Sequence, residues 1–365
     1  MNTPQPPPSV ASVTRRIERH SFSPVHNGFT ADPETGNDGV ADLEDDDWHV
    51  RTLAVRDLVR RGRESPASVR EVLDHDDKHV RQIAARGLGI LRADSAVGAL
   101  SRRLRTDPDP VARSQAAIAL GQIGAPPEAV AGPLENETDT DVQHQCAVAL
   151  DRIRKDEPVE AAMAEQVAAL DPSTFDRVQA GDRAPTFTLD DTEGAPWSLA
   201  DALGENTVVL LWVFADWCPV CHREFRSLID REERFRELGV TVATLECHDQ
   251  YRCRLMEGKE FRPSYWFADD LPDGHPHDAY PDDIWWPHLV DRAAAVGLQY
   301  GIDPGEYAVH SEYVNRPATL ILDPDGTVRL AHFGTYWGDR PTIGQILDMI
   351  ETGTYTFDAP SPRAH

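Results

Sequence analysis

A chain of 365 residues with a formal net charge of −26 is long enough for two domains and is strongly acidic. The excess of carboxylates disfavours binding to nucleic acid or to an anionic membrane surface. No stretch approaches the roughly 20 apolar residues that span a bilayer, and Arg15 and Arg16 precede no apolar run of the kind found in export signals. We therefore predict a cytoplasmic protein with no nucleic-acid or membrane partner.

Most of the basic residues are arginines, because only three of the 36 are lysines. Such carboxylate-rich, lysine-poor chains resemble proteins of salt-accumulating halophiles, in which hydrated carboxylates keep the surface soluble. Ordinary acidic solubility is the alternative. The chain has five cysteines, two of them in one motif. This usage fits a reducing compartment better than a secreted domain held by disulfides.

The N-terminal segment, residues 1–40, is rich in Pro, Ser, Asn, Gly and Asp and is predicted to be disordered. The chain then repeats itself. Equivalent positions fall 30, 32 and 30 residues apart, at Val50, Val80, Ala112 and Val142. Each copy follows aspartates that can cap a helix, and small residues at its alanine positions let helices approach. One helix pair cannot bury its own apolar stripe, so the pattern predicts a stacked all-α solenoid.

The repeat pattern resembles HEAT-like repeats of the phycobilisome-lyase type. That resemblance implies a docking scaffold for a protein partner. The repeated arginines Arg51, Arg81 and Arg113 are expected to pair with the preceding aspartates, with an anion-binding strip as the alternative. Cys146 occupies an alanine-like position and is predicted to be a small buried hydrophobe.

The second half of the chain is organised around the apolar run Val208–Phe214, a predicted buried strand. Cys218-Pro-Val-Cys221 follows at the start of an amphipathic helix that is expected to extend to about Leu238. Unpaired N–H groups and the helix dipole stabilise a thiolate in the first turn, so Cys218 is the predicted nucleophile and Cys221 the resolving thiol. Half of a zinc site and an inert structural disulfide are the alternatives.

Three stretches together resemble a redoxin domain of the thioredoxin superfamily, closest to the TlpA/ResA-like thiol-disulfide reductases. They are Gly181–Leu189, Gly194–Asp201 and the W-C-P-V-C run. The resemblance implies an α/β thioredoxin-like fold. It also implies that Glu224, in C-x-x-C-x-x-E, lies beside the thiols and handles their protons, and that a cis-proline, Pro317, faces the dithiol from a loop that precedes a hairpin.

Two positions depart from that family. Trp212 stands where thioredoxins place a buried aspartate that assists proton transfer, so Glu224 is expected to carry that role. A solvated glutamate on the helix surface is the alternative. Arg316 stands before the proline, where a small or apolar residue is common. Facing Cys218, it would favour the thiolate; a surface position is the alternative. The predicted substrate-binding residues are Trp217, Pro219, Arg316 and Pro317.

Two further thiols, Cys247 and Cys253, follow the next predicted strand, which is expected to run parallel to the first. They are either an auxiliary redox pair or two unrelated thiols, since a disulfide requires their α-carbons within about 7 Å. A Pro- and Asp-rich stretch containing His275, His277 and His288 is expected to cover the active-site face. The alternative is a transition-metal site, to which His310 further along the chain could also contribute. We predict no metal and no cofactor.

Together these features predict a thiol-disulfide oxidoreductase that acts on a protein disulfide. An unidentified thiol electron donor is expected to reduce the oxidised dithiol again. One alternative is a peroxiredoxin-like peroxidase, although the T-x-x-C of those enzymes is replaced here by Cys218-x-x-Cys221. The other is a non-catalytic repeat adaptor with a redox-sensing thioredoxin fold. The predicted domain organisation is a disordered segment at 1–40, a HEAT-like solenoid at 41–170, a thioredoxin-like domain at 171–357 and a disordered tail at 358–365.

Overall fold

The computed structural model describes residues 49–259, 280, 283–305, 307–334 and 339–358. The segment 1–40, the tail beyond residue 358, and His275 and His277 lie outside these residues, so the predictions made for them are not addressed. None of the helices in the described part of the chain combines the length and apolarity that a bilayer crossing needs.

The described part of the N-terminal half is helical, as the repeat pattern predicts. Its helices are α1 (Val50–Glu64), α2 (Pro66–Glu71), α3 (Lys78–Ile90), α4 (Val97–Thr106), α5 (Pro110–Ile123), α6 (Glu128–Leu134), α7 (Thr140–Arg154) and α8 (Met163–Ala169). Asp77, Asp109 and Asp139 cap α3, α5 and α7, because each carboxylate accepts a backbone N–H of the first turn. The predicted capping role of these aspartates is confirmed.

Small residues allow the long helices of successive repeats to pack closely. A Cβ added to Gly89 of α3 would lie 2.9 Å from the Ala119 Cα of α5, and one added to Gly121 of α5 would lie 3.0 Å from the Ala149 Cα of α7. Cys146 is fully buried in this core. Burial raises the pKa of its thiol to about 12, so it behaves as a small hydrophobe, as predicted.

The repeated arginines differ from the expectation. Arg81 forms an ion pair with Asp107 at 2.7 Å, and Arg113 forms one with Glu137 at 2.7 Å. Both carboxylates belong to the following repeat rather than the preceding one. Each guanidinium therefore links two neighbouring repeats, and it also bonds backbone carbonyls in the turn before its own helix.

The second half is an α/β domain around a mixed sheet. Its described elements are β1 (Thr188–Asp190), β2 (Pro196–Ser198), α9 (Leu199–Ala202), β3 (Thr207–Trp212), α10 (Pro219–Ile229), α11 (Glu232–Glu237), β4 (Val240–Glu246), α12 (Gln250–Met256), β5 (His288–Val290), α13 (Ala295–Tyr300), β6 (Tyr307–Val309), β7 (Glu312–Val314), β8 (Ala318–Leu322), β9 (Val328–Phe333) and α14 (Ile343–Thr352). The central sheet has the order β5-β4-β3-β8-β9. This confirms the predicted fold class, a helical solenoid followed by a thioredoxin-like α/β fold.

Strand β3 lies at the centre of the sheet, which explains its unbroken apolar sequence. It pairs in parallel with β4 and antiparallel with β8, so that Leu210 lies between Ala243 and Leu320. Leu210 and its neighbours on the same face belong to an apolar core that continues into the solenoid. Val209 and Leu211 face a second core shared with α10 and α14. A strand that is buried on both faces has no need of polar alternation.

The predicted active-site helix is in fact two helices. Arg231 leaves the helical conformation, with φ −120° and ψ 16°, and α11 starts at the next residue. Glu232 and Glu233 then fall in the first turn of α11, where the helix dipole favours acidic side chains.

The two halves are joined by buried polar contacts. Thr52 Oγ1 donates to Asp303 Oδ1 at 2.5 Å, and Arg152 pairs with Asp249 at 2.7 Å. Tyr313 donates its hydroxyl to Gln82. A cavity of about 90 Å³ lies between the halves, lined by side chains of α1, α3, α5 and α7 and by residues that follow β4.

Candidate active site

The Cys218-x-x-Cys221 dithiol sits where the prediction places it, at the junction of the central strand and α10. Cys218 is the N-cap of α10, and its sulfur accepts the Cys221 N–H at 3.3 Å. The Cys221 sulfur accepts the backbone N–H of Phe214 at 3.4 Å. Pro219 occupies the first helical position, where its missing N–H costs no hydrogen bond. Both sulfurs therefore lie among backbone donors.

An arginine from the far end of the chain completes the site. Arg340, in the loop before α14, places Nη2 3.0 Å from the Cys221 sulfur and 3.8 Å from the Cys218 sulfur. Its Nε lies 2.9 Å from Glu224 Oε1. Glu224 is thus held by Arg340 next to the dithiol, in the position that the resemblance implies.

The two thiols share their protons unequally. Burial alone would raise the pKa of Cys221, but a hydrogen bond from the Cys218 thiol and the Arg340 charge lower that pKa to about 6. Burial, together with the neighbouring Cys221, raises the pKa of Cys218 well above its usual value. Burial also raises the pKa of Glu224 to about 8, against the opposing effect of Arg340. Near neutral pH the site therefore contains a Cys221 thiolate and a Cys218 thiol.

This distribution differs from the expectation that Cys218 is the ionised sulfur. The helix N-terminus does supply an N–H to Cys218, as expected. Arg340 nevertheless lies closer to Cys221, and a fixed charge at 3.0 Å outweighs one amide donor in a buried site.

Both sulfurs are sealed from solvent. Cys218 and Cys221 each have 0% of their surface exposed. A disulfide substrate must touch the attacking sulfur, so the described conformation is a closed one.

Comparison with known proteins gives one family match in each half of the chain. Residues 180–331 match the AhpC/TSA family. Residues 180–331 form a redoxin domain. Residues 40–121 match HEAT repeats, so the N-terminal helical region contains HEAT repeats. The whole helical region, α1 to α8, is called the HEAT array.

Individual relatives resemble the redoxin domain. ResA, a thiol-disulfide oxidoreductase of Bacillus subtilis, is 29% identical over 176 residues, which is 48% of this chain and 78% of the relative. DsbE, a thiol:disulfide interchange protein of Vibrio cholerae, is 26% identical over 165 residues, 45% of this chain and 70% of the relative. A Plasmodium vivax 2-Cys peroxiredoxin structure is 18% identical with a TM-score of 0.38, over 48% of this chain and 81% of that one. A TM-score this low carries no argument about function.

The residues before the dithiol connect the redoxin domain to the HEAT array. Trp217 donates its indole N–H to Glu312 Oε2 at 3.0 Å, and Gln145 of α7 donates to the same oxygen at 2.9 Å. Arg252 bonds Glu312 Oε1 at 2.5 Å and Asp216 Oδ1 at 2.8 Å. Trp217, expected at a substrate surface, is therefore buried against the contact between the two halves.

The Asn315-Arg316-Pro317 loop lies beside the strand end that precedes the dithiol, as the resemblance implies. Asn315 donates its backbone N–H to the Phe214 carbonyl at 3.2 Å. Arg316 is fully buried, against the surface alternative, and its Nε donates to the Gly334 carbonyl at 2.9 Å. The guanidinium that contacts the sulfurs is that of Arg340. The Arg316–Pro317 peptide is trans, because the described residues contain no cis peptide, which corrects the expected cis-proline.

The two auxiliary thiols are both buried and both reduced. Cys247 lies 4.0 Å from Asp291 Oδ2, and Cys253 lies 4.0 Å from the His248 carbonyl. Burial raises the pKa of each thiol well above its usual value.

Trp212, in the place of the thioredoxin aspartate, packs in the core against Tyr300.

Sequence reasoning missed Arg340, Arg252 and Glu312. No motif spacing relates any of them to the dithiol, because each is 31 or more positions from Cys221. Only the folded chain brings them together.

Proposed function

We propose that the redoxin domain is a thiol-disulfide oxidoreductase whose working pair is Cys218 and Cys221. The observation that carries the proposal is the buried Arg340 between Cys221 and Glu224, which gives one ionised sulfur and one carboxyl group that titrates near neutral pH. Similarity to ResA and DsbE supports the same chemistry.

In the proposed reaction the Cys218 thiol passes its proton to the Cys221 thiolate and attacks one sulfur of a substrate disulfide. A mixed disulfide forms on Cys218, and the first substrate thiolate leaves and takes the proton of Glu224, whose carboxyl group is still protonated near neutral pH. Cys221 then loses its proton to Glu224 and attacks the Cys218 sulfur. The second substrate thiolate leaves. The substrate disulfide has then been reduced by two electrons, and the enzyme dithiol has been oxidised to a Cys218–Cys221 disulfide.

We propose that the HEAT array recruits the protein client, and that a separate thiol donor reduces the enzyme disulfide afterwards. The contact of α7 with Glu312, which binds Trp217, supports this role, because it ties a repeat helix to the residue next to Cys218. The expected cytoplasmic location and the absence of nucleic-acid or membrane partners stay predictions.

The test is insulin-disulfide reduction by the full chain and by Cys218→Ser, Cys221→Ser and Cys146→Ala, with hydrogen peroxide consumption measured in parallel. We expect insulin reduction by wild type and Cys146→Ala and its loss in both serine variants. Cys221→Ser should accumulate a mixed disulfide on Cys218. Peroxide turnover that survives in one serine variant would instead identify a peroxidase.

The second candidate is a non-catalytic adaptor that senses redox state, and the burial of both sulfurs favours it. Alkylation of the native protein separates the two candidates. An oxidoreductase must open, so its dithiol should react with a small alkylating reagent within the time of an insulin assay. If Cys218 reacts only after unfolding and insulin is not reduced, the adaptor is the correct function.

A further inference from the structure

A second group of reactive side chains lies at the carboxyl end of β4, apart from the dithiol. Glu246 is the last residue of β4, His288 the first of β5, and Cys253 lies on α12. One potential ligand atom from each lies within 4.8 Å of the others. All three residues are buried, with at most 1% of their surface exposed. Three unlike side chains, each able to bind a metal, thus converge at one point in the core.

The hydrogen bonds around the cluster aim these groups at one another. His288 Nε2 lies 3.2 Å from Glu246 Oε2, while Nδ1 lies 2.8 Å from Thr244 Oγ1. Thr244 Oγ1 also accepts the indole N–H of Trp286 at 3.0 Å. An oxygen with two lone pairs can accept both N–H groups, and in that tautomer of His288 the Nε2 lone pair is available to a metal ion. Orientation of a histidine through its other nitrogen is the usual support for a metal ligand.

The carboxylate is positioned from its other side as well. His248 Nδ1 lies 2.5 Å from Glu246 Oε1, while Oε2 is the oxygen that faces His288. A simple hydrogen-bond network would account for the carboxylate and the imidazoles. Among the residues that the structure describes, it leaves the Cys253 sulfur with only a long contact, 4.0 Å to the His248 carbonyl. A nitrogen, oxygen and sulfur donor set within this span suits a borderline divalent ion.

We propose that Glu246, Cys253 and His288 bind a divalent transition-metal ion of the zinc type, with His248 as a positioning residue. A three-ligand set leaves a further coordination position open. His248 also lines the cavity between the HEAT array and the redoxin domain, so the cavity reaches a residue that contacts Glu246. The sequence prediction of no metal did not consider this set, because its members, at positions 246, 253 and 288, follow no short ligand motif.

The probe is metal alone, added to the metal-stripped, reduced full chain carrying Cys218→Ser and Cys221→Ser, which removes the other thiol pair. Zinc content after dialysis gives the stoichiometry, and Co²⁺ reports a thiolate ligand through its charge-transfer absorption. We expect one bound ion per chain and a cobalt–thiolate band. Cys253→Ser should abolish the band and weaken zinc binding at least about 100-fold, since even outer-shell partners are worth about 10- to 100-fold.

The matched control is Cys247→Ser, because Cys247 is an equally buried neighbour whose sulfur faces Asp291. It should keep both the band and the affinity. A second readout needs no variant, because bound zinc should protect Cys253 from alkylation during partial unfolding, mapped by mass spectrometry. The proposal is overturned if the stripped protein takes up no stoichiometric metal, if Cys253→Ser binds as wild type does, or if zinc leaves Cys253 alkylation unchanged.

Discussion

Arg340 lies against the Cys221 sulfur at 3.0 Å, and its charge, together with the hydrogen bond from the Cys218 thiol, favours the thiolate at Cys221. The guanidinium is itself buried and cannot lose its proton in the working range of pH. It therefore acts as a fixed charge that lowers the pKa of Cys221 and holds Glu224 beside it. Proton placement in the site thus depends on a loop more than 100 residues after the motif.

Replacing Arg340 with Gln should raise the pKa of Cys221 above its wild-type value of about 6. Loss of an opposite charge in contact with a buried thiolate is worth about 1–3 pKa units. The ultraviolet absorbance of the thiolate, titrated in the fully reduced protein, measures the shift. Arg340→Lys is the matched control, because it keeps a positive charge and should shift the pKa less. A titration curve that is the same in all three proteins would show that Arg340 does not set the ionisation.

The general architecture was predictable, because apolar patterning records burial. The unbroken apolar run before Cys218 predicts a strand buried on both faces, and β3 is that strand. The repeat period predicts the solenoid, and the aspartates before each copy predict its caps. These features are local, so neighbouring residues in the chain are sufficient to specify them.

The electrostatics of the site could not be predicted, because they depend on contacts between distant segments. The sequence indicates a thiolate at Cys218, since only the helix N-terminus is visible locally. The fold favours Cys221 instead, because it brings the Cys218 thiol, Arg340 and the Phe214 N–H to the Cys221 sulfur. Similarly, Arg316 is adjacent to the expected proline but is directed to the Gly334 carbonyl. A motif states which groups are present, whereas burial and partners decide their charge.

Replacing Glu224 with Gln should change how stability depends on pH. The pKa of Glu224 is raised to about 8 in the folded protein, so the unfolded carboxyl group ionises first. The contribution of this carboxyl group to the free energy of unfolding is therefore fully present at low pH, and it is lost as the pH rises toward about 8. We expect Glu224→Gln to gain stability relative to wild type by about 2–4 kcal/mol between about pH 5 and pH 9.

Urea unfolding of reduced protein at both pH values measures this difference. The lowered pKa of Cys221 acts in the opposite direction, with stability lost as pH falls through about 6. That effect is present in both proteins and is largely removed by the subtraction. A difference that stays constant with pH would show that the pKa of Glu224 is not raised.

Glu312 should be essential for the contact between the HEAT array and the redoxin domain. Its two oxygens accept bonds from three donors, in Arg252, Trp217 and Gln145. Glu312→Gln replaces one oxygen with an NH2 group that must face a donor, and it removes the charge beside a buried arginine. We expect a loss of about 3 kcal/mol in the free energy of unfolding, measured by urea titration.

The matched control is Glu232→Gln, which also removes a carboxylate that is paired with an arginine. Glu232 pairs with Arg236 on the surface, and its side chain is 39% exposed. Glu232→Gln should change the free energy of unfolding by no more than about 1 kcal/mol, because solvent screens exposed ion pairs. Equal effects of the two substitutions would contradict the role assigned to Glu312.

Gly89→Val should destabilise the HEAT array, because it inserts side-chain atoms where α3 and α5 touch. The first added carbon alone would lie 2.9 Å from the Ala119 Cα, a distance that forces backbone to move. Overpacking of this kind costs about 1–3 kcal/mol, and a β-branched residue adds further strain in a helix.

Gly98→Ala is the control, since an added Cβ there meets nothing within 4 Å. It should be neutral or stabilising by up to about 1 kcal/mol, because alanine is the better helix former. Both effects are measured as shifts of the urea midpoint at unchanged slope. If Gly89→Val unfolds at the wild-type midpoint, the close approach of the two helices is not required for the array to fold.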